Sequence, residues 1–304
     1  MESIHFYKAI ADATRIRLLY LLNHHECSVN EIVSAMNMGQ SRISRHLKIL
    51  TDCGLLTSRR DGLWVFYTAA REGRPGEFNR HFLSFAAGDP ALAEDYASMK
   101  AILDENRRSK ERFFDSIASD WDGLRMSLLG DCDIETEVLS RLPDCKVAAD
   151  LGCGTGGLLI ALRGKAERVI GIDRSPRMLQ KAREKLALDG KGIELRLGEI
   201  EHLPMRDGEA DAVVINMVLH HLPNPAEGIA EAARVVRPGG SIVIVDLGKH
   251  ADEKMRSLLR HRWLGFDAEQ MNAWLSAAGF AVSGRSDLPG GDGLTVTIYS
   301  AIKK

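Results

Sequence analysis

Residues 147–157, VAADLGCGTGG, join an apolar run that ends in a carboxylate to a loop rich in glycine. We predict a buried strand that continues through this loop into a helix. Glycines let the backbone approach a ligand closely and leave the amides of a helix N-terminus accessible. The spacing leaves two alternatives open. Gly157 completes GxGxxG, the dinucleotide-binding pattern, as readily as Gly156 completes GxGxG.

Two acidic residues favour one of these alternatives. Asp150, at the end of the predicted strand, places a carboxylate in the cleft. This suits the cationic amino-acid end of S-adenosylmethionine (SAM) better than a pyrophosphate. A second predicted strand, residues 169–172, ends at Asp173, whose carboxylate can accept hydrogen bonds from ribose hydroxyls. Ser175 and Pro176 then begin a helix as N-cap and first-turn residue.

From Lys146 onward, short β-branched runs alternate with amphipathic segments, which predicts a parallel sheet with crossover helices. The other predicted elements are the end of a third strand at 198–204, a fourth strand at 211–216, a turn at 237–240 into a fifth strand at 241–246, a basic helical stretch at 247–266, a helix at 268–278 and a last strand at 294–300. The closing strands fit an antiparallel edge. The predicted fold of this region is therefore α/β and Rossmann-like.

This ordered series resembles the class I SAM-dependent methyltransferases, close to the ubiquinone and menaquinone biosynthesis type, over about residues 113–240. The resemblance implies a cofactor, SAM or S-adenosylhomocysteine, with the following contacts: the methionine portion on Asp150, Gly152, Gly154 and Gly156; the ribose on Asp173, with Met178 near it; the adenine on Glu199 and Ile200; and the methyl-donor side on Asn216 and Val218. Upstream, Phe113, Phe114 and Asp115 with Trp121 and Asp122 resemble the lid segment of such enzymes. Packing of an interdomain helix explains the aromatic residues equally well.

Catalytic residues are hard to identify here, because methyl transfer mainly needs a nucleophile held ~3 Å from the methyl carbon. A general base is required only for a protonated nucleophile. His220 and His221 are the candidates for that base, although a scaffold role is favoured. Cys153 lies in the glycine loop, where small residues are needed for fit. With Cys132 and Cys145 it could form the thiolate set of an arsenic methyltransferase, a minor alternative that the spacing does not support.

The N-terminal region predicts a helix-turn-helix. Ser28 and Glu31 form a capping box at the start of a short helix that ends by Gly39. A second helix follows at residues 41–53, with Gly54 as its stop. Its apolar stripe consists of Ile43, Leu47 and Leu50, at i, i+4 and i+7.

The opposite face of the second helix is polar and basic, and a hairpin follows it. Asp61-Gly62 between two β-prone runs predicts a type I′ turn with positive φ at both positions. Across residues 41–67 there are five basic residues against two acids, a local excess of three positive charges. The side chains expected to contact bases and phosphates are Gln40, Ser41, Arg42, Ser44, Arg45 and Lys48 on the helix, with Arg59 and Arg60 beside the turn.

Residues 6–68 resemble the ArsR/SmtB-type winged-helix repressors. The resemblance implies a homodimer that reads a palindromic double-stranded operator, with the recognition helix at residues 40–50 and the wing at residues 59–63. Many relatives sense metals through a Cys-x-Cys pair, but the matching positions here are Ser28 and Asn30. His24, His25 and Cys27 lack usual ligand spacing, so we expect no metal at that site.

The length and composition of the chain constrain its domain organisation, its mode of DNA binding and its location. A chain of 304 residues accommodates two domains, and we predict a winged helix at 1–75, a helical linker and dimerisation region at 76–112 and the methyltransferase-type domain at 113–304. The formal net charge of −2 means that DNA binding must depend on the local basic patch. Five scattered cysteines fit reduced thiols and a cytoplasmic location. No signal peptide or membrane span is expected.

Three functions follow from these observations. The first is a transcriptional regulator, a repressor by resemblance, whose second domain senses SAM or S-adenosylhomocysteine, methylates a small molecule, or does both. The second is an active small-molecule methyltransferase whose winged helix serves autoregulation or dimerisation. The third, a nicotinamide-dependent enzyme, is disfavoured by the motifs that follow the glycine loop.

Overall fold

The computed structural model describes residues 2–118, 120, 123, 130, 132–187 and 190–304. The chain folds into two compact units, residues 1–110 and 111–304. Each is described by itself below. Within the described ranges, no helix combines the length and the apolar character needed to cross a lipid bilayer.

The first unit contains six helices and three strands among its described residues. The helices are α1 (Glu2–Ile10), α2 (Ala13–His24), α3 (Val29–Met36), α4 (Gln40–Asp52), α5 (Gly73–Ala86) and α6, whose full bounds are Pro90–Ile117. The strands are β1 (Cys27–Ser28), β2 (Leu56–Asp61) and β3 (Trp64–Ala69), in the sheet order β1-β3-β2. This sequence of elements is a winged helix-turn-helix, as predicted.

Local sequence signals form the helix-turn-helix. The capping box is present, since the Glu31 N–H donates to the Ser28 hydroxyl and the Ser28 N–H donates to the Glu31 carboxylate. Helix α3 ends at Asn37, which adopts the left-handed conformation (φ 48°) in place of a glycine. The predicted stripe of Ile43, Leu47 and Leu50 on α4 is fully buried. The α4 face opposite the stripe is therefore left for solvent.

The wing differs from the prediction by one residue. Asp61 is the last residue of β2 and pairs with Trp64, so the two-residue loop is Gly62-Leu63. Gly62 has φ +57°, whereas Leu63 keeps a negative φ. One positive φ, at a first-position glycine, matches a type II′ turn, the other common connection of a two-residue hairpin. The predicted type I′ turn at Asp61-Gly62 is therefore wrong, because Asp61 is buried within the strand pair.

Helices α5 and α6 cover the region that we predicted as a linker. Their buried residues Phe82, Leu92 and Met99 pack in the same apolar cluster as Leu22 of α2. The Arg17 guanidinium of α2 also donates two hydrogen bonds, of 2.6 and 2.7 Å, to a carboxylate of α6. This part of the chain therefore contributes to the core of the first unit, while our domain boundaries stay predictions.

The second unit is built on a seven-stranded sheet in the order β6-β5-β4-β7-β8-β10-β9. Its strands are β4 (Cys145–Leu151), β5 (Ala166–Asp173), β6 (Ile193–Leu197), β7 (Ala210–Asn216), β8 (Val236–Leu247), β9 (Phe280–Pro289) and β10 (Thr295–Lys303). Its other described helices are α7 (Ile134–Arg141), α8 (Leu159–Arg163), α9 (Pro176–Leu186), α10 (Pro225–Val235), α11 (Lys254–Leu259) and α12 (Ala268–Ala277). Strands β4 to β8 are parallel, and β10 and β9 are antiparallel.

The central strands of the sheet are buried on both faces. Successive residues of β7 alternate between two apolar clusters, since Val214 belongs to one and its neighbours Val213 and Ile215 belong to the other. A continuous apolar run is what a strand covered by helices on both sides requires. The Rossmann-like class I architecture predicted from the sequence is thus confirmed.

Three details of this unit differ from the prediction. The predicted end of the third strand at 198–204 lies beyond β6, which ends at Leu197. Strand β8 begins at Val236, so the predicted turn at residues 237–240 is part of the strand, with a register irregularity opposite β7. The stretch at 247–266 contains one helix, the six-residue α11, besides the end of β8 at Leu247 and a bridge between Gly248 and Phe266. Its basic composition therefore does not correspond to one long helix.

A partly exposed ion-pair network around Glu209 predicts how stability depends on pH. Hydrogen bonds from Arg196 lower the pKa of Glu209 to about 2, from its usual 4.5. A carboxyl whose folded pKa is depressed stabilises the fold above its unfolded pKa, and this stability is lost as the pH falls from 4.5 towards 2. We expect Arg196→Ala to lower the free energy of unfolding by roughly 1–3 kcal/mol at pH 7 and by less at pH 3.

Denaturant titrations at both pH values measure this difference. Arg206→Ala is the matched control, because Arg206 reaches the same carboxylate at 4.0 Å but is 88% exposed. Equal losses of stability at pH 7 and pH 3 in Arg196→Ala would contradict the assignment of the effect to this ion pair.

Candidate functional site

The predicted cofactor residues lie at one edge of the sheet. Leu151, at the end of β4, pairs with Ile172 of β5 and with Ile215 of β7. Asp173 pairs in turn with Leu197 at the end of β6. The strands are parallel, so their carboxyl ends meet at the same edge, where open α/β sheets bind ligands.

The glycine loop is held tightly at this edge. Gly152 has φ +82°, and a Cβ placed there would lie 2.6 Å from a methyl of Val218. Only glycine therefore fits between β4 and the segment after β7. Gly154 also has a positive φ of 53°. Gly156 instead faces α9, where an added Cβ would lie 3.1 Å from Ala182, so it permits close helix packing.

Asp173 ties this loop to the next strand. One carboxylate oxygen accepts the Gly154 N–H and the other accepts the Ser175 N–H, both at 2.8 Å. Burial raises the pKa of the Asp173 carboxyl, while these two amides act in the opposite direction. Besides the predicted ribose contact, Asp173 thus has a positioning role that the sequence did not indicate.

Asp150 and Asn216 stand at neighbouring strand ends. Asp150 is 3% exposed and is the next-to-last residue of β4, directly before the loop. The Asn216 side-chain oxygen is buried and accepts no hydrogen bond within the described part of the chain. A buried amide oxygen without a donor is costly, so a ligand N–H or water at this point would stabilise it.

The remaining predicted cofactor residues occupy the flank of the site. Met178 is buried, and its N–H donates to the Ser175 hydroxyl, the N-cap of α9. Ile200 is also buried, whereas Glu199 is half-buried in the bridge that it forms with His202. These residues follow β5 and β6 as the resemblance requires, and their contacts with adenine and ribose stay predictions.

The lid prediction is only partly covered by the structure. The Ser175 hydroxyl donates to the Asp115 carboxylate at 2.6 Å. The ring of Phe114 meets the ring of His221 edge-on, with centroids 4.9 Å apart. Trp121 and Asp122 lie outside the described residues. Phe114 and Asp115 therefore reach both sides of the candidate site.

The two candidate histidines belong to a buried polar cluster. His220 is 1% exposed, and its Nδ1 lies 2.6 Å from a carboxylate oxygen of Asp246. Its Nε2 lies 3.0 Å from the Nε2 of His221. His261 completes the cluster, with its ring 4.1 Å from that of His220. We missed Asp246 and His261, although an acid at the end of a predicted strand was a usable signal for Asp246.

The cysteines do not form a thiolate set. Burial, and then the charges of Asp150 and Asp173, raise the pKa of the Cys153 thiol well above its usual value. Cys145 begins β4 and Cys153 follows its far end, a separation of roughly 20 Å at ~3.3 Å per residue. All five cysteines are free thiols. The arsenic-type alternative thus finds no support in their placement.

The candidate DNA interface is the solvent face of α4. Six side chains are exposed on it: Gln40, Ser41, Arg42, Ser44, Arg45 and Lys48. Lys48 forms an ion pair with Asp52 one turn later, at 3.0 Å. Exposed pairs of this kind contribute little to stability, so the lysine can exchange its partner for a phosphate. The helix face therefore has the predicted composition.

The two wing arginines differ. Arg60 is exposed. Arg59 instead donates to both carboxylate oxygens of Glu26, at 2.8 and 3.2 Å, and its guanidinium lies 4.4 Å from the centre of the Phe66 ring. The Arg59 charge is therefore already paired within the unit, and its contact with DNA stays a prediction.

The residues near the family's metal-sensing position make other contacts. The Cys27 sulfur is buried 3.6 Å from the Met99 sulfur, and the His25 ring stacks on Tyr96 at 5.5 Å. Burial lowers the pKa of both His24 and His25. Among the residues that the structure describes, these three side chains do not form a three-ligand cluster.

Comparison with known families agrees with both units. Residues 12–58 match the family described as bacterial regulatory protein, arsR family. Residues 149–244 match the family described as methyltransferase domain. The chain thus carries an ArsR-family DNA-binding domain followed by a methyltransferase domain.

Two curated relatives match the second domain. An arsenite methyltransferase of Halobacterium salinarum is 36% identical over 137 residues, which are 44% of this chain and 34% of the relative. A demethylmenaquinone methyltransferase of Desulfitobacterium hafniense is 36% identical over 123 residues, 39% of this chain and 47% of the relative. The chain therefore spans less than half of the length of either relative.

Solved structures share the fold. A geranyl diphosphate C-methyltransferase from Streptomyces coelicolor, in complex with Mg²⁺, geranyl diphosphate and S-adenosylhomocysteine, matches with a TM-score of 0.55. The match covers 66% of this chain and 98% of that chain at 13% identity. At this identity the likeness extends to the fold alone.

Proposed function

We propose that this protein is a transcriptional repressor whose methyltransferase domain binds SAM or S-adenosylhomocysteine and adjusts operator affinity accordingly. The observation that supports it is the presence, on one chain, of an exposed basic recognition helix and a glycine-loop cofactor site. A ligand changes DNA affinity only through different affinities for two conformations. By linkage, the operator then changes ligand affinity by the same factor.

A mobility-shift titration tests the regulator. The full chain is titrated on the DNA upstream of its own coding region, without ligand, with SAM and with S-adenosylhomocysteine. We expect at least one ligand to change operator affinity by about 5-fold or more, the range of ordinary allosteric coupling. Equal affinities under all three conditions, with ligand binding verified separately, would exclude the sensor.

We further propose that the protein binds DNA as a homodimer through α1 and α5. Phe78 of α5 packs edge-on against Tyr7 of α1, with ring centroids 5.5 Å apart. Phe85 lies two turns later on the same helix and is 93% exposed, and Tyr7 is 63% exposed. Large apolar groups grouped on one face are typical of an interaction surface.

Phe85→Asp is expected to weaken the dimer at least ~10-fold, because a charge would replace an apolar contact at the interface. Sedimentation of the variant across a concentration series measures this. Leu63→Asp is the control, since Leu63 is 78% exposed but lies at the wing tip. Unchanged dimerisation of Phe85→Asp would remove α5 from the interface.

A second candidate function is methylation of a small molecule. The buried Asp246–His220 pair supports it, because a domain that only sensed SAM would not need polar groups beside the predicted methyl-donor side. Release of S-adenosylhomocysteine from SAM, in the presence of fractionated small molecules, tests this function. Turnover without specific DNA binding would favour the enzyme over the regulator.

A further inference from the structure

Three imidazoles from two separate segments meet beside the cofactor edge. His220 and His221 lie on the short 3₁₀ turn after β7, residues Leu219–His221. His261 follows α11, beyond Arg260, whose left-handed φ of 58° turns the chain. One ring nitrogen from each histidine lies within 4.8 Å of the others. This convergence depends on segments that are 40 residues apart in the chain.

The backbone holds the two segments together. The amides of Arg262 and Trp263 donate to the His220 carbonyl, at 2.9 and 3.0 Å. The indole N–H of Trp263 donates to the Leu222 carbonyl, also at 3.0 Å. His261 is 4% exposed and its own amide donates to the Met255 carbonyl. The three rings are thus placed by main-chain contacts, as a preorganised site requires.

A carboxylate orients the central ring. Asp246 accepts at 2.6 Å from Nδ1 of His220, and the same oxygen accepts the Leu247 N–H at 2.7 Å. A proton on Nδ1 leaves the Nε2 lone pair pointing into the cluster. A carboxylate behind a metal-binding histidine fixes the tautomer and increases the basicity of the ligand.

The distances suit a small transition-metal ion. Tetrahedral zinc with bonds of ~2.0–2.1 Å places its nitrogen ligands ~3.3 Å apart. The two Nε2 atoms of His220 and His221 are 3.0 Å apart. Neutral imidazoles suit zinc, copper, iron and nickel, whereas magnesium and calcium prefer oxygen ligands. Three protein ligands leave a fourth position open, as in catalytic zinc sites.

We propose that His220, His221 and His261 bind one divalent transition-metal ion of the zinc class, with the fourth position open to the methyl acceptor. The part concerning the acceptor rests on the proposed methyl transfer. The acceptor would carry a thiol or hydroxyl that loses its proton to water on binding the metal. The lone pair of the anion then forms the bond to the methyl carbon. The methyl–sulfur electron pair returns to sulfur, which leaves S-adenosylhomocysteine.

Cobalt(II) is the probe for the metal site. The full chain, stripped with a chelator, is titrated with Co²⁺ and then competed with Zn²⁺, without SAM, DNA or thiol. We expect the three histidines to bind one Co²⁺ ion per chain. This ion should show the visible absorption bands of tetrahedral cobalt with nitrogen ligands. His261→Gln and His220→Asn should lose this ion, whereas His202→Ala should keep it, since His202 is exposed in the same unit.

A fold control keeps the test decisive. Circular dichroism of each metal-free variant verifies folding, and Asp246→Asn serves where a histidine variant does not fold. Loss of the carboxylate behind His220 should weaken binding about 10–100-fold. Undetectable binding, binding that survives both histidine changes, or a sulfur-to-cobalt charge-transfer band would each overturn the site. If Asp246, His220 and His221 form a proton relay instead of a metal site, metal binding will be undetectable.

2-Mercaptoethanol then probes the open position. Its thiolate should add a sulfur-to-cobalt band in the wild-type protein and none in His261→Gln. No change in the wild-type spectrum would overturn the open position. Metal binding is measured without SAM or DNA, so its result does not depend on the proposed methyl transfer. If the protein binds the metal but shows no turnover, the proposed methyl transfer is contradicted and the metal site stands.

Discussion

Replacing Asp173 with alanine should lower SAM affinity by about 100-fold or more. The carboxylate accepts the amides of Gly154 and Ser175, so its loss releases the glycine loop as well as the predicted ribose contact. Hydrogen bonds to charged groups contribute about 1.5–3 kcal/mol each, and two of them account for a loss of this size. Isothermal titration with SAM and with S-adenosylhomocysteine measures the change.

Two further variants separate the contributions. Asp173→Asn keeps one acceptor oxygen and removes the charge, so we expect an intermediate loss. Asp144→Ala removes a carboxylate that is 87% exposed at the opposite end of β4, and its affinity should match the wild type. The first unit should stay folded in all three, because Asp173 belongs to the second. Full SAM affinity in Asp173→Ala would refute the site assignment.

Replacing Arg45 with alanine should weaken specific operator binding by roughly 10–100-fold. Arg45 is exposed in the first half of α4, opposite the buried Leu47. A bidentate arginine–guanine contact contributes about 1–3 kcal/mol of discrimination against a wrong base. Fluorescence anisotropy on operator and scrambled duplexes measures both affinity and specificity.

The comparison between variants identifies what Arg45 does. Lys48→Ala should weaken binding to both duplexes alike and reduce the salt dependence, as expected for a phosphate contact. Arg183→Ala removes an exposed arginine of the second unit and should leave operator binding unchanged. If Arg45→Ala kept the discrimination between the two duplexes, α4 would not be the helix that reads the bases.

Arg59 shows the limit of charge patterns. From the sequence it is one of two adjacent arginines beside a turn, and both were expected to face DNA. In the structure, Arg59 donates hydrogen bonds to Glu26 and packs over the ring of Phe66, which lie 33 and 7 positions away in the sequence. Arg60 is exposed. Neighbouring residues of a strand point to opposite faces, so one of the pair had to face inward. The carboxylate that pairs with Arg59 depends on how the segment after α2 packs against the wing.

Local sequence patterns specify the helices and strands and the edge of the sheet at which the candidate ligand site lies. The capping box of Ser28, the buried stripe through Leu47 and the strand that carries Asp150 all depend on contacts within a few residues, and local spacing reports such contacts directly. Parallel strands then place their carboxyl ends together without further information. The fold class could therefore be predicted, and the cofactor class stays a prediction.

Which side chains meet depends on the packing of distant elements. His261 joins His220 across 41 positions, Asp246 supports that ring from the neighbouring strand, and the thiols of Cys145 and Cys153 are kept apart by the length of one strand. These relations depend on strand order and on backbone bonds between distant loops. Local periodicity in the sequence does not predict these contacts, because they form only when whole helices and strands pack and bring distant loops together.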